Sequence, residues 1–253
     1  MVISCSMLDC AEILPDMGNP YFPFHSLGFK CNPFRAVTDA EWIEVAILPD
    51  SLAETLARSI VHLQLLGGEG HGKTTALLML ADRFRREGRR VAYEHIEIGK
   101  TEFATSFDSL DVFLLDEADR LSERERNRLL NVLSFDGCGL RSFLSSHEDL
   151  TLRFARSGLP LATLRLDTTT LTHVAAVIRR RLAYFALEPD APGATVSPDA
   201  IACLHQTFGA DVRAIEQTLY EVFQRRRERG EVGVEEVRHC VTSGFPPDYA
   251  RPS

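Results

Sequence analysis

The chain has 253 residues, 45% of them hydrophobic, and a formal net charge of −8. That length allows one α/β domain of about 150 residues plus a smaller domain, and the hydrophobic share is typical of an ordinary globular core. No apolar stretch reaches the roughly 18 residues that a membrane span requires, and the N-terminus lacks the positive region of a signal peptide. The sequence therefore predicts a cytoplasmic protein without a membrane span, in which DNA binding would need a local basic patch.

The cysteines and the arginine-rich stretches favour no special chemistry. The six cysteines form no C-x-x-C pair and have no histidine at ligand spacing, which favours free thiols over a zinc site. Arginine-rich stretches occur at 83–90, 124–128, 178–181 and 223–230, all on predicted helices where apolar or acidic residues alternate with the arginines. Solvated helix faces explain these stretches better than a nucleic-acid site does.

The N-terminal fifth of the chain divides into two parts. Residues 1–20 predict a flexible or partner-docking arm, which ends in a glycine, an asparagine and a proline at 18–20. Residues 21–50 are rich in aromatic side chains and proline, and they predict an irregular segment packed on the core.

A phosphate-binding loop is predicted at GGEGHGKTT, between an apolar run of strand length and a helix-spaced pattern. In such a loop backbone N–H groups and the helix N-terminus hold phosphate oxygens, Lys73 reaches the β and γ phosphates, and the Thr74 hydroxyl binds Mg²⁺. A glycine-rich turn without a ligand is the alternative, which the strand, the loop pattern and the helix together disfavour. The predicted nucleotide-binding residues of the loop are Gly67, Gly68, Glu69, Gly70, His71, Gly72, Lys73, Thr74 and Thr75.

An acidic strand end supplies the second half of this site. Residues 112–115 form a continuous apolar run typical of a strand buried on both faces, and Asp116 and Glu117 follow at its carboxyl end. We expect Asp116 to hold Mg²⁺ and Glu117 to polarise the attacking water. A solvated acidic turn is the alternative, and Asp119 is expected to be only a helix N-terminal charge.

GGEGHGKTT together with VFLLDEAD resembles an AAA+ ATPase. The resemblance implies a P-loop NTPase core with a helical lid, Mg-ATP as ligand, and assembly into a homo-oligomeric ring or filament. It also implies a polar sensor at the end of the strand in LRSFLSSHEDL, where Ser145, Ser146 and His147 are the candidates and Ser146 is counted among the catalytic residues.

Arginines complete the set of residues that the resemblance implies. FGADVRAIEQTL is similar to the family's sensor 2 motif, in which Arg213 would reach the nucleotide. Arg153 and Arg156 stand where the family places an arginine finger, which acts on the neighbouring subunit's site. The sequence does not choose between these two, and a surface arginine is the alternative for each of the three.

Alternating strands and helices predict an α/β nucleotide-binding domain at 51–167 with a parallel sheet and right-handed crossovers. Residues 168–243 carry only helical signals, including a Ser197-Pro198 helix start, and are predicted to form the lid, with a tail at 244–253. Only about 13 residues separate two of the predicted strands, too few for a full crossover helix. Lys100 and Thr101 in this connection are read as a plain turn rather than a DNA-contacting loop.

The segment LGFKCNPF and the sequence SSHEDL are similar to the corresponding parts of ExeA-type ATPases and of the TniB and TnsC ATPases of transposition systems. Three hypotheses are consistent with these observations. The first is an ATP-hydrolysing switch or motor that recruits a protein partner, with double-stranded DNA as a candidate partner. The second is a nucleotide-gated interaction module with little turnover. The third is an interaction protein or ExeA-like ATPase of a secretion or surface apparatus.

Overall fold

A computed structural model describes residues 23–58, 60–135, 139–188 and 193–242. The predicted arm at 1–20, the tail at 244–253 and three of the cysteines lie outside these ranges. No helix within them is long and apolar enough to cross a membrane. The helices are α1 (Asp39–Val45), α2 (Asp50–Leu56), α3 (Lys73–Arg86), α4 (Glu123–Leu133), α5 (Thr151–Arg156), α6 (Leu171–Phe185), α7 (Pro198–Phe208), α8 (Val212–Arg225) and α9 (Val234–Thr242), with a 3₁₀ turn at Ala118–Arg120.

Five parallel strands form the sheet of the first domain. They are β1 (His62–Leu66), β2 (Val91–His95), β3 (Val112–Asp116), β4 (Arg141–Ser146) and β5 (Ala162–Arg165), in the spatial order β2-β3-β4-β1-β5. Every residue of β1 and β3 is buried, because helices cover both faces of the central strands. The predicted parallel sheet is confirmed, and β1 and β3 carry the phosphate loop and the acidic pair at their carboxyl ends.

The connection from β2 to β3 contains no helix, as its short length predicts. Phe103 anchors it: the side chain is buried and lies under the guanidinium of Arg128, 3.9 Å from the ring centroid. The Glu94 carboxylate accepts hydrogen bonds from the backbone N–H groups of Ala104 and Thr105 at 2.7 and 3.0 Å. Lys100 pairs with Glu97 on the exposed part of this connection.

Helices α6 to α9 form the second domain, as the helical signals predict. Ser197 caps α7 by accepting from Ala200 N at 3.1 Å, and Pro198 occupies the first turn, as expected from the sequence. The region is not purely helical, however. Two short parallel strands pair with each other: β6 (Thr195–Val196) precedes α7 in the chain, and β7 (Glu231–Val232) precedes α9. Each has only two residues, too few to show the alternating apolar pattern by which a strand is predicted.

The aromatic segment after residue 22 packs differently from the prediction. Leu27, Phe29, Phe34 and Val45 belong to the apolar cluster of the helical domain rather than to the core beneath the sheet. Backbone hydrogen bonds fix the segment there, and Leu187 N donates to Gly28 O at 2.9 Å. The segment therefore packs with the helical domain, while α1 contacts both α6 and α3 and Leu52 of α2 is buried in the cluster of the sheet domain.

Candidate nucleotide-binding site

A cleft of about 660 Å³ lies between the two domains. Its floor is the phosphate loop, one wall is the segment from Phe34 to Pro49, and the opposite wall is formed by α6 and α8. Trp42 and His173 line it, and burial lowers the pKa of His173, which favours the neutral imidazole. The sequence did not indicate that the segment before residue 50 forms a wall of the site.

The phosphate loop has the backbone that its glycines predict. Gly70 and Gly72 have φ angles of +74° and +78°, and α3 begins directly afterwards at Lys73. A Cβ on Gly70 would lie 2.0 Å from an Asp211 carboxylate oxygen, so this glycine permits close contact with the lid. His71 folds back under the loop, where its Nδ1 accepts from Gly68 N at 3.1 Å.

Lys73 is buried, with three acceptors around its ammonium group. Nζ lies 2.8 Å from both Gly67 O and Gly68 O and 3.3 Å from His147 Nε2. Burial lowers the pKa of Lys73, and the negative charges of Glu117 and Asp116 oppose that effect. The side chain therefore presents a partly desolvated cation at the floor of the cleft, where it fits a phosphate oxygen.

The carboxylate of Asp116 is fully buried and lies beside the loop. Its Oδ2 accepts from Thr74 Oγ1 at 2.8 Å and from Tyr93 OH at 3.1 Å, and it lies 3.1 Å from His95 Nδ1. Ser145 Oγ donates to the other carboxylate oxygen. The sequence did not single out Tyr93 and His95. The two residues are two positions apart on β2, so their side chains point to the same face of the sheet. Their contact with Asp116 depends on the register that pairs His95 with Asp116, which the sequence alone does not reveal.

The donor set around Asp116 fits Mg²⁺. A hydroxyl and a carboxylate oxygen lie 2.8 Å apart, and both are hard oxygen donors. Within the described ranges, no group of three or more histidine, cysteine, aspartate or glutamate side chains could hold a metal ion by itself. Mg²⁺ commonly binds through one or two protein oxygens together with substrate phosphates, so Thr74 and Asp116 would suffice alongside a nucleotide.

Glu117 adopts a left-handed backbone conformation, with φ 60° and ψ 47°, which is uncommon for a residue with a side chain. Its backbone N–H donates to Ser145 Oγ at 2.8 Å. Its Oε2 lies 3.1 Å from an Arg120 guanidinium nitrogen and 3.4 Å from His147 Nε2. Asp119, expected to be only a helix charge, accepts from His147 N at 3.1 Å and so also shapes this turn.

The two serines at the end of β4 make different contacts. Ser145 bonds both to Asp116 and to the backbone of Glu117. The Ser146 hydroxyl instead donates to Glu148 O at 2.6 Å and accepts from Glu148 N at 2.9 Å. A sensor role for Ser146 thus remains a prediction, while the structure brings Ser145 to the acidic pair.

The predicted arginines lie in three places. Arg213 is exposed and lines the cleft beside Gly70. Arg153 forms a two-point ion pair with Glu123, at 2.6 and 2.7 Å, and Arg156 is exposed at the end of the same helix. Neither Arg153 nor Arg156 lines the cleft of its own chain.

One arginine that was read as part of a solvated helix face is buried. Arg181 on α6 is 6% exposed, and its Nε lies 2.5 Å from Glu216 Oε1 on α8. The same guanidinium donates to Pro33 O at 3.2 Å and to Arg35 O at 3.0 Å. Arg181 therefore joins two lid helices to the wall segment, a role that depends on non-local contacts.

Solved structures with the same architecture are AAA+ P-loop ATPases. RuvB of Thermotoga maritima, a Holliday junction branch migration motor, aligns over 81% of this chain and 68% of its own, with TM-score 0.52 and 15% identity. AMPPCP-bound DnaA from Aquifex aeolicus aligns over 79% of this chain and 68% of its own, with TM-score 0.53 and 20% identity. The fold is that of an AAA+ P-loop ATPase. NtrX from Brucella abortus in complex with ADP aligns over 76% of this chain and 55% of its own, with TM-score 0.50 and 15% identity.

At these identities the likeness concerns the fold, and the AAA+ fold prediction is confirmed. This chain spans between 55 and 68% of the length of the three structures. No protein-family model matches the sequence, and no curated protein matches it either. The closer kinship with ExeA, TniB and TnsC remains a prediction.

Proposed function

We propose that the protein is an AAA+ ATPase that binds and hydrolyses Mg-ATP and acts as a cytoplasmic switch or motor on a protein partner. One observation carries the proposal: Lys73, Thr74 and Glu117 line one cleft, and the Thr74 hydroxyl donates to the buried carboxylate of Asp116 beside it. A packing role does not account for this arrangement, because it gathers a buried cation and two carboxylates beside a loop with left-handed glycines.

Each residue has a distinct role in this proposal. Lys73 and the loop N–H groups bind the β and γ phosphates, and Thr74 and Asp116 hold Mg²⁺. Mg²⁺ supplies neutralisation of phosphate charge. Glu117 orients the attacking water, and Arg213 binds the nucleotide from the lid side. Ser145 positions both acids through its single hydroxyl.

We further propose that a neighbouring subunit supplies an arginine to the γ-phosphate. Arg156 is the better candidate for this role, because Arg153 is engaged by Glu123 on its own chain. The test mixes two inactive variants, Lys73→Ala and Arg156→Ala, in equal amounts. In a mixed assembly some interfaces combine an intact loop with an intact arginine, so recovered turnover supports shared sites, while no recovery argues against them.

The proposal as a whole is tested by ATPase turnover measured against protein concentration, with and without double-stranded DNA. We expect the rate per subunit to rise with concentration, and Glu117→Gln to reduce turnover by a factor of about 100 while ATP still binds. Stimulation by DNA that weakens steeply with salt would support the transposition-type branch. Tight ATP binding with no measurable turnover at any concentration would contradict hydrolysis.

A second function is favoured by the contacts of Glu117. Because its carboxylate pairs with Arg120 and approaches His147, the protein could bind ATP and hydrolyse it slowly as a nucleotide-gated interaction module. In that case Glu117→Gln would hardly change an already slow rate. An ExeA-like role in a secretion or surface apparatus has only the sequence similarity in its favour.

A further inference from the structure

Gln64 is a fully buried polar residue in the middle of β1, the strand that leads into the phosphate loop. Its amide nitrogen lies 2.8 Å from an Asp149 carboxylate oxygen, 3.0 Å from the Thr151 hydroxyl and 2.7 Å from the Thr163 hydroxyl. Its amide oxygen accepts from Leu150 N at 2.9 Å, which fixes the orientation of the amide because a backbone N–H bonds only to an acceptor. Both ends of this buried amide are therefore bonded to segments beyond its own strand.

Two of these bonds organise the start of α5, the six-residue helix that ends at Arg156. The backbone N–H groups at the start of a helix have no partner inside the helix. At α5 the N–H of Leu150 donates to the Gln64 amide oxygen. The N–H of Thr151 donates at 2.9 Å to Asp149 Oδ1, the same oxygen to which the Gln64 amide nitrogen bonds. Gln64 thus holds both groups, one directly and one through Asp149.

The same face of β1 also holds the middle of α5. His62 precedes Gln64 by two positions, so both side chains point to one face of the sheet. The His62 ring lies beside the buried ring of Phe154, with the centroids 5.9 Å apart. Two points of contact with one strand define the direction of this short helix. Arg156 lies at its exposed far end, about 1.4 turns after Thr151.

We infer that Gln64 is a positioning residue that directs Arg156 toward the nucleotide of the neighbouring subunit. The phosphate loop begins at Gly67, three residues after Gln64, so one strand sets the loop of its own site and the arginine given to the next site. A misplacement of reacting groups by about 1 Å costs about 100-fold in rate, so the direction of α5 matters for turnover. This inference rests on the proposed ATPase function and its shared sites.

Three substitutions test this role. Gln64→Met removes the amide but keeps an unbranched side chain of similar volume. The side chains of Asp149 and Thr151 are exposed, so water replaces the lost amide and the variant should fold. Asp149→Ala breaks the same connection from its exposed end and is the second variant. Thr163→Val is the matched control: it removes one hydroxyl of the cluster on β5 and leaves the bond from Leu150 N to Gln64 in place.

Thermal denaturation checks that each variant is folded, calorimetry on the full chain gives ATP affinity, and steady-state turnover at saturating ATP gives kcat. We expect Gln64→Met to reduce kcat about tenfold or more and Asp149→Ala about threefold or more. Both should keep ATP affinity within about threefold, because the lost bonds lie on the side of α5 and β5. Thr163→Val should match the wild type in both quantities. Wild-type kcat in Gln64→Met and Asp149→Ala overturns the inference.

Mixing experiments separate a misdirected arginine from a damaged phosphate loop. A Gln64→Met subunit keeps its loop, so Lys73→Ala, which has an intact arginine, should restore its turnover. In a random equal mixture about one quarter of head-to-tail interfaces join these two parts, so we expect up to about a quarter of the wild-type rate. Mixing Gln64→Met with Arg156→Ala should give only the mean of the two separate rates. Recovery with Arg156→Ala, or none with Lys73→Ala, overturns the inference; Asp149→Ala is expected to show the same pattern.

The outcomes for the two proposals are separable. If the wild type shows no turnover, the ATPase proposal fails and the role of Gln64 falls with it. If the wild type hydrolyses ATP and the mixture of Lys73→Ala with Arg156→Ala recovers turnover, shared sites are supported. A Gln64→Met subunit that then recovers with Arg156→Ala removes the role of Gln64 alone.

Discussion

Replacing Arg181 by methionine should destabilise the protein strongly, because it leaves Glu216 without its partner. The Arg181 side chain is 7% exposed, and its guanidinium bonds to Glu216 at 2.5 and 3.0 Å as well as to two backbone carbonyl oxygens. Removing one partner of a buried pair typically costs about 3–5 kcal/mol. The Glu216 side chain keeps 24% of its surface exposed, so water can partly solvate the remaining charge. We therefore expect a loss of about 2–4 kcal/mol.

The pH dependence gives this prediction a second check. Burial raises the pKa of Glu216 above its ordinary 4.5, and Arg181 opposes that rise. An acid with a raised pKa in the folded protein favours folding below its unfolded pKa, and that stability is lost as the pH rises through the folded pKa. Arg181→Met raises the folded pKa further, so the difference in stability between variant and wild type should shrink as the pH falls from 7.5 to 5.

Thermal denaturation followed by circular dichroism measures both effects. At pH 7.5 the expected loss lowers the midpoint by about 5–15 °C. Arg180→Met is the matched control on the same helix. Arg180 is half-exposed, with a guanidinium nitrogen 3.8 Å from the Glu44 carboxylate and an exposed hydrogen bond from its Nε to Glu44 O at 2.6 Å, so the midpoint of this variant should change by less than about 2 °C. Equal midpoints for the two variants, or a shift for Arg181→Met that does not shrink at pH 5, would refute the reasoning.

Three further outcomes are expected. Gly70→Ala should weaken ATP binding about tenfold or more, because the added Cβ would meet an Asp211 carboxylate oxygen at 2.0 Å. Gly88→Ala is the control: Gly88 also has a positive φ, +77°, but a Cβ there would meet no other atom, so this variant should lose only about 1 kcal/mol of stability. Equal ATP affinity in the two variants would count against the close contact between the loop and the lid. Lys73→Met should reduce ATP affinity about 100-fold by calorimetry, and unchanged affinity would show that the nucleotide binds elsewhere. Hydrogen bonds from Arg35 and the Thr38 backbone lower the pKa of Glu41 to about 2. Glu41 therefore stabilises α1 above pH 4.5 and loses that contribution as the pH falls through about 2. An NMR titration that placed the pKa of the Glu41 carboxyl near 4.5 would contradict the capping contacts.

The residues of the phosphate loop and of the acidic strand end were predictable because each set lies within a short continuous stretch of the sequence. Four glycines between an apolar run and a helix pattern predict a loop whose backbone φ angles turn positive, and Gly70 and Gly72 have those angles. An apolar run that ends in two acids predicts a buried strand with carboxylates at its end, and Asp116 is fully buried there. In both cases the information lies within about ten neighbouring residues.

The walls of the cleft were not predictable in the same way. The aromatic residues before position 50 had to bury their side chains somewhere, but the sequence does not say against which domain. Phe29 and Phe34 contact Phe223 on α8, nearly 200 residues later. Arg181 resembles its exposed neighbours in the run at 178–181, and only the position of Glu216 on another helix explains its burial.

The choice between Ser145 and Ser146 shows where sequence reasoning ends and register begins. Adjacent residues of a strand point to opposite faces, so only one of two consecutive serines can face the acidic pair. In the observed register Leu115 pairs with Leu144, which places the next residues along the strands, Asp116 and Ser145, side by side. A shift of one residue would have presented Ser146 instead. The sequence contains the right pair of serines, but the pairing of β3 with β4, set by burial on both faces of the sheet, decides which hydroxyl reaches the carboxylate.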